Sequence, residues 1–244
     1  MPIRRLWLAL AGAGLCAGAA AAPQLIITTE LSPPTSMLEN GRVIGSATER
    51  VRGMLERSDI SYTITMFPWK RAYSAALSHP FTCVYSTTRT PERESLFKWA
   101  GPTAEGEWVL MGRADREYHL RSVEDARGLR VGTYFGDARD DYLRERGIET
   151  DPAHNDLINP QKLMMGRIDL WAASMRGSVA WLERNGLAGK IVPVLVFNRV
   201  KVYLACNRSV PDAVIHKMNA ALETMGRDGT LRRIDKTYEN WTEH

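Results

Sequence analysis

The heptapeptide TTRTPER, residues 87–93, follows the strand-favouring stretch FTCVY of residues 81–85. Thr90 followed by Pro91 predicts a helix start, because threonine is a good N-cap and proline fits the first helical position. The segment therefore predicts a strand, a polar turn and a helix N-terminus with Arg93 in its first turn. Helix N-termini attract anions and arginine binds carboxylates through paired hydrogen bonds, so one interpretation is an anion site. The alternative is an ordinary turn with a surface arginine.

Strands and amphipathic helices alternate on the N-terminal side of this heptapeptide. The predicted elements before it are strands at 24–29, 62–66 and 81–85, and helices at 48–57 and 69–77. Such an order favours a mostly parallel sheet with helices on its faces.

A second unit of the same kind begins after Pro102. Its predicted strands lie at 107–111, 129–133, 168–172 and 201–206, and its helices begin near 122, 137, 178, 209 and 230. The whole chain is therefore expected to be an α/β protein with two similar units.

The N-terminus has the pattern of a secretory signal peptide. Arg4 and Arg5 precede an Ala/Leu/Gly-rich apolar run that ends in small residues, and cleavage after Ala21 fits best. We expect residues 1–21 to be removed and the mature protein to be exported to the periplasm; the alternative is an uncleaved membrane anchor.

Charge and motif content exclude several classes of function. The formal net charge is +4, and +2 once Arg4 and Arg5 leave with the leader, which is too small to indicate nucleic-acid binding. The five histidines are scattered without metal-ligand spacing, and the sequence has no Gly-x-Ser-x-Gly and no P-loop. We expect no metal and no cofactor.

Cys83 and Cys206 remain after processing. An even number of cysteines in an oxidising compartment suggests a disulfide, and two buried free thiols are the alternative.

Several motifs resemble those of the family 3 extracellular solute-binding proteins, the amino-acid-type periplasmic binding proteins of bacteria. The first lobe of that family ends in a pattern like residues 86–93 followed by FKWAGP at 97–102. LRVGTYFGD at 129–137, GRIDLW at 166–171 and DGTLRRIDKTY at 228–238 are similar to three later motifs, in the same order.

The resemblance implies a type II periplasmic binding protein fold, with two α/β lobes joined by two hinge crossings. Lobe 1 would comprise residues 22–102 and 196–244, and lobe 2 residues 103–195. In such a fold the strands of Cys83 and Cys206 are neighbours, so a disulfide between them is expected if their side chains point toward each other.

The resemblance also implies where a ligand would lie on lobe 1. Ser86, Thr88 and Arg93 match the positions that hold the carboxylate of an amino acid in the family. Tyr85 stands where some members have serine. These four residues are candidates for contacts with a bound carboxylate.

Two more lobe 1 residues match positions near the cleft. Trp69 matches an aromatic residue that often stacks on the ligand, and its alternative role is core packing. Glu30 matches a loop at the edge of the cleft, where it would either contact ligand or be solvated.

Lobe 2 departs from the amino-acid pattern. Ser174 aligns with the usual acidic residue that receives an α-ammonium group. Asp137 is a candidate to replace it, with an N-cap as its alternative role, and Arg139 is a candidate to hold a second anion. A buried ammonium without an acidic partner is costly, which favours a carboxylate-bearing solute other than an α-amino acid.

The expected function is capture of a small carboxylate-bearing solute, an amino acid or a related organic anion, for uptake by an ABC-type permease. The alternatives are a binding protein that serves a membrane sensor, and an enzyme on the same fold such as a cyclohexadienyl dehydratase. Glu30, Asp137 and Asp169 are the cleft carboxylates available to an enzyme. We expect a monomer without catalytic activity.

Overall fold

The computed structural model describes residues 24–239, so the predicted leader at residues 1–21 lies outside the described part. The strands are β1 Leu25–Thr29, β2 Met37–Glu39, β3 Arg42–Ile44, β4 Tyr62–Met66, β5 Thr82–Thr88, β6 Lys98–Arg113, β7 Val131–Tyr134, β8 Thr150–Ala153, β9 Leu170–Ser174 and β10 Ile191–Cys206. The helices are α1 Ser46–Arg57, α2 Trp69–Ser78, α3 Pro91–Glu94, α4 Ala138–Arg144, α5 Asn159–Met164, α6 Met175–Arg184, α7 Asp212–Arg227 and α8 Thr230–Glu239.

Eight of the described strands form one continuous sheet in the order β4-β1-β5-β10-β6-β9-β7-β8. Strands β4, β1 and β5 are mutually parallel, as are β9, β7 and β8, and these two blocks are the sheets of lobe 1 and lobe 2. The predicted fold, two α/β lobes joined by two crossings, is confirmed.

Strands β6 and β10 connect the lobes. Each has 16 residues, and they pair antiparallel from Lys98 with Cys206 to Arg113 with Ile191. The predicted lobe boundaries at residues 102 and 195 fall inside these two strands and stay a prediction.

The core of lobe 1 lies between its sheet and helices α1 and α7. Helix α1 buries Val51, Met54 and Leu55, the apolar face that its sequence periodicity predicts. Met218 and Met225 of α7 pack in the same cluster. Because burial of each such side chain contributes ~1.5–3 kcal/mol, this packing holds the C-terminal helices on lobe 1.

Cys83 and Cys206 form the expected disulfide. They are register partners on β5 and β10, their sulfurs are 2.09 Å apart, and both side chains are fully buried. The bond joins the first and last segments of lobe 1.

Some elements differ from the sequence prediction. The hairpin of β2 and β3, strand β8 and helix α5 were not predicted, because segments of three to six residues carry too little periodicity. The helix predicted near 122 is a single 3-10 turn, Val123–Ala126, although its Ser122 capping box forms. The helix predicted after Thr90 is likewise only one turn long.

Candidate functional site

Trp69 connects the two lobes. Its backbone N–H donates to the Tyr134 hydroxyl at 3.0 Å, and its indole Nε1 donates to the Gly136 carbonyl at 2.9 Å. Trp69 begins helix α2 directly after Pro68, and its N–H is free to bond outward because the first N–H groups of a helix have no intrahelical acceptor. The Trp69 side chain is 3 % exposed, so it packs between the lobes and lines neither cavity described below.

Gly136 allows this close approach. It follows β7 with φ 77°, a left-handed conformation that favours glycine. A Cβ at this position would lie 2.9 Å from Cδ of Lys70 on lobe 1. The turn after β7 is therefore shaped to meet helix α2.

Arg93 lies on lobe 1 at the same junction. Its side chain is buried, and its Nη2 donates to the Gly136 carbonyl over 3.4 Å. Its guanidinium lies over the Tyr73 ring, 4.9 Å from the centroid. Within residues 24–239, no carboxylate forms an ion pair with Arg93 within 4.0 Å. A buried guanidinium thus faces the cleft without a counter-charge in direct contact.

The larger of the two cavities at this junction measures about 1000 Å³. Arg93 and Thr88 line it from lobe 1, and Ala138 and Asp141 line it from lobe 2. The structure therefore brings two of the predicted carboxylate contacts together in an inter-lobe cleft. Because α3 has a single turn, the anion-attracting group there is the Arg93 side chain and not a helix terminus.

A smaller cavity of about 60 Å³ is lined in part by Tyr134. Glu30 lines it from lobe 1, and Arg139, Asp156 and Ser174 line it from lobe 2. Within this cavity, the charges of Arg139 and Asp156 offset each other, because the two side chains form an ion pair.

Arg139 is bound within lobe 2 and does not offer a second anion site. Its Nε donates to Asp137 at 2.8 Å, and its Nη2 lies 3.4 Å from Asp156. Asp137 is the N-cap of α4 and accepts the Arg139 backbone N–H at 2.7 Å, which places the two side chains together. Asp156 also accepts the Trp171 indole N–H at 2.9 Å. The pairing of Asp137 with Arg139 also removes Asp137 as a free acceptor for a ligand ammonium.

The pKa values of Glu30, Tyr134 and Asp137 are shifted by burial and by neighbouring charges. Burial, and then the negative charges of Asp137 and Asp156, raise the pKa of Glu30 to about 8. Burial and the nearby Glu30 raise the pKa of Tyr134 as well. Burial opposes ionisation of Asp137, but the adjacent Arg139 outweighs it and lowers that pKa. Glu30 is therefore mostly protonated at neutral pH, near the carboxyl groups of Asp137 and Asp156 on the other lobe.

Three predicted site residues lie elsewhere or act differently. Tyr85 is fully buried in the core of lobe 1, and its hydroxyl is hydrogen-bonded with Thr48 at 2.6 Å and Ser36 at 3.1 Å. Ser86 has a left-handed backbone, φ 59°, and lines neither cavity. Ser174 is the exposed N-cap of α6 and lines only the smaller cavity.

Four residues at these cavities were not predicted from the sequence: Tyr134, Asp156, Lys70 and Tyr73. Tyr134 ends a parallel strand, and ligand sites lie beyond the carboxyl ends of such strands, so that rule would have indicated it. Asp156 belongs to a 3-10 turn after the unpredicted strand β8, and nothing in its local sequence distinguishes it.

Neither a metal centre nor a membrane span is found in the part of the chain that the structure describes. Over residues 24–239 there is no group of three or more His, Cys, Asp or Glu residues that could hold a metal ion. No helix in this range has the length and hydrophobicity needed to cross a bilayer.

Comparisons with known proteins agree with this architecture. Residues 25–241 match the family of bacterial extracellular solute-binding proteins, family 3. The probable amino-acid-binding protein YxeM of Bacillus subtilis (strain 168) is 22 % identical over 225 residues, covering 87 % of this chain and 82 % of YxeM.

Two solved structures are similar in fold. A histidine kinase sensor domain with similarity to periplasmic binding proteins superposes with a TM-score of 0.81 at 18 % identity, covering 91 % of this chain and 98 % of that one. An ancestral arginine-binding protein bound to arginine gives a TM-score of 0.77 at 20 % identity, covering 88 % and 97 %. With the family match extending over nearly all described residues, the chain belongs to the bacterial extracellular solute-binding proteins of family 3.

Proposed function

We propose that this protein binds a small carboxylate-bearing solute in the cleft between its lobes, with Arg93 holding the carboxylate. The observation that carries the proposal is the buried Arg93 guanidinium, which faces the larger cavity and has no ion pair among residues 24–239. A buried charge is stable only when it is paired or well hydrogen-bonded, and a ligand carboxylate would supply the missing partner.

Binding would also couple the lobes. The larger cavity is lined from both sides, by Arg93 and Thr88 of lobe 1 and by Ala138 and Asp141 of lobe 2. A ligand in contact with both walls stabilises the closed arrangement relative to an open one, because it makes both sets of contacts only when the lobes meet.

The chemistry of lobe 2 favours an organic anion over an α-amino acid. Position 174 is a serine, and Asp137 is engaged by Arg139. Glu30 is mostly protonated at neutral pH, so it does not provide a full negative charge for an ammonium group. In the larger cavity itself, seven lysines and arginines face three acidic residues, so the ammonium of a zwitterionic ligand would meet an excess of like charge.

We further propose that the protein works in the periplasm as a monomer and delivers its ligand to an ABC-type permease, without catalytic turnover. The predicted leader at residues 1–21 and the family membership support export. Delivery to a membrane sensor is the alternative use of the same closed, liganded form.

Native mass spectrometry of protein purified from the periplasm without refolding tests the proposal. We expect a co-purifying ligand that contains a carboxylate, and calorimetry with a panel of carboxylates and amino acids should then show one saturable site. A bound ligand without a carboxylate, or no binding by any member of the panel, would contradict the proposal.

A further inference from the structure

The larger cavity carries a strong excess of positive charge. Seven lysines and arginines and three acidic residues line it, whereas two acids and one arginine line the smaller cavity. A cleft lined predominantly by one sign of charge concentrates ligands of the opposite sign. A single carboxylate would neutralise only part of this excess.

Five of the seven cations already have acidic partners. Ion pairs within 4.0 Å engage Arg89, Arg144, Arg146, Arg199 and Lys201. For Lys70 and Arg93, no such pair forms within residues 24–239. Asp141, whose charge interacts with both cations, lies on the opposite wall, and its own pKa is raised, chiefly by burial. The cleft therefore offers two cations, and not one, to a ligand.

These two cations flank one turn of the opposite lobe. The Lys70 chain passes against Gly136, with its Nζ 6.0 Å from the centroid of the Phe135 ring. Arg93 donates to the Gly136 carbonyl from the side of Tyr73. A ligand that bridges Lys70 and Arg93 must extend across the turn after β7, so its anionic groups must be separated by a molecular framework.

The walls of the cleft suit a ligand with a sizeable framework. The guanidinium of Arg93 lies over Tyr73 on lobe 1, and that of Arg146 lies 3.4 Å from the centroid of Tyr142 on lobe 2. A stacked guanidinium keeps its in-plane N–H groups free to donate to anions. Cavities of roughly 300–1,000 Å³ enclose ligands of drug size, and the volume of about 1000 Å³ exceeds what a single amino acid needs.

We infer that the ligand of this cleft is an organic anion with at least two negative groups, one held by Arg93 and another by Lys70. The inference rests on the proposed function, because both have Arg93 hold an anionic group of the ligand. The shared chemistry is that of separated anionic groups, either carboxylates or phosphates.

Calorimetry at constant ionic strength tests the inference with butyrate, glutarate and tricarballylate, which carry one, two and three carboxylates, and with inorganic phosphate. The variants are Lys70→Met and, as a matched control, Lys217→Met, an exposed lysine on α7 remote from both cavities. We expect at least about tenfold tighter binding for glutarate than for butyrate, and no further gain of that size for tricarballylate, because only Lys70 and Arg93 are available as partners. Lys70→Met should weaken tricarballylate about tenfold and change butyrate less than about twofold, while Lys217→Met changes neither.

Other outcomes of this calorimetry distinguish failure of the inference from failure of the proposed function. If butyrate binds as tightly as tricarballylate and Lys70→Met affects neither, the inference is wrong while carboxylate binding stands. If inorganic phosphate binds with a dependence on Lys70 and the carboxylates do not, one compact anion satisfies both cations, which contradicts the inference of separated groups and the proposed carboxylate ligand. If none of the four probes binds at millimolar concentration, both the inference and the proposed function are contradicted.

Discussion

The backbone N–H of Trp69 in lobe 1 donates to the hydroxyl of Tyr134 in lobe 2, with 3.0 Å between the two heavy atoms. Glu30, a lobe 1 carboxyl group, lies near enough to this hydroxyl that burial and the Glu30 charge raise the pKa of Tyr134. Contact between the lobes is thus linked to the protonation of one buried acid.

Replacing Tyr134 with phenylalanine should loosen this contact. The variant leaves the buried Trp69 N–H without its acceptor, which costs ~1–3 kcal/mol in the closed arrangement. Small-angle scattering should therefore show a larger radius of gyration than for wild type. Tyr62→Phe, which removes an exposed hydroxyl bonded to Glu56, serves as the control. An unchanged radius for Tyr134→Phe would show that this bond does not hold the lobes together.

The stability of the protein should fall as pH rises from about 4.5 to about 8, because of Glu30. Its pKa is about 8 in the folded protein and 4.5 ordinarily, so the folded state binds the proton more tightly. The stabilisation is present below pH 4.5 and is lost as pH rises through about 8, with a slope of at most about 1.4 kcal/mol per pH unit.

Urea unfolding of the wild type and Glu30→Gln across this pH range measures the effect. The amide cannot ionise, so the variant should show a flatter profile and a higher free energy of unfolding than wild type near pH 8. Asp137, whose pKa is lowered, contributes equally to both proteins at acid pH. Parallel profiles would mean that Glu30 titrates normally.

Loss of the Cys83–Cys206 disulfide should destabilise the protein by ~2–5 kcal/mol, since the bond closes a loop with a sequence separation of 123. Thermal unfolding of the double variant Cys83→Ala, Cys206→Ala against oxidised wild type tests this. Intact mass after alkylation under denaturing conditions supplies the direct check: two modified thiols in unreduced periplasmic protein would disprove the bond.

Gly136→Ala should weaken ligand binding, whereas Gly186→Ala should not. Both glycines have left-handed backbones, φ 77° and φ 65°, so each alanine costs ~1 kcal/mol of stability. Only at Gly136 does the added Cβ meet a neighbour, Lys70 across the cleft, while the space around Gly186 is open. Equal ligand dissociation constants for the two variants would show that the Gly136 turn does not contribute to ligand binding.

The alternation of strands and helices was predictable because each long element carries its own hydrophobic period. The apolar face of α1 and the strand Tyr62–Met66 are examples. The lobe topology was not predictable from periodicity, since it depends on β6 and β10 pairing over their full lengths from distant parts of the chain. The family resemblance supplied that topology.

The candidate site was predictable in part. Arg93 and Thr88 were identified from a local motif, and both line the larger cavity. The role of Arg139 was not predicted, because it depends on a neighbour in the sequence. Asp137 lies two residues away and accepts a hydrogen bond from the Arg139 guanidinium. Tyr85 was misleading because both faces of β5 pack against apolar clusters, so its sequence shows no alternation; its hydroxyl is bonded to Thr48.

The most direct test of the account is the affinity of Arg93→Ala for the ligand that wild type binds, measured by calorimetry beside Arg227→Ala, an exposed arginine near the end of α7. We expect Arg93→Ala to lose ~2–4 kcal/mol, a weakening of about 30-fold to 1,000-fold, because a buried charge pair loses one partner. Arg227→Ala should bind as wild type does, and Arg93→Ala should remain folded in thermal unfolding. A folded Arg93→Ala variant with unchanged affinity would contradict the central claim that this arginine holds the ligand carboxylate.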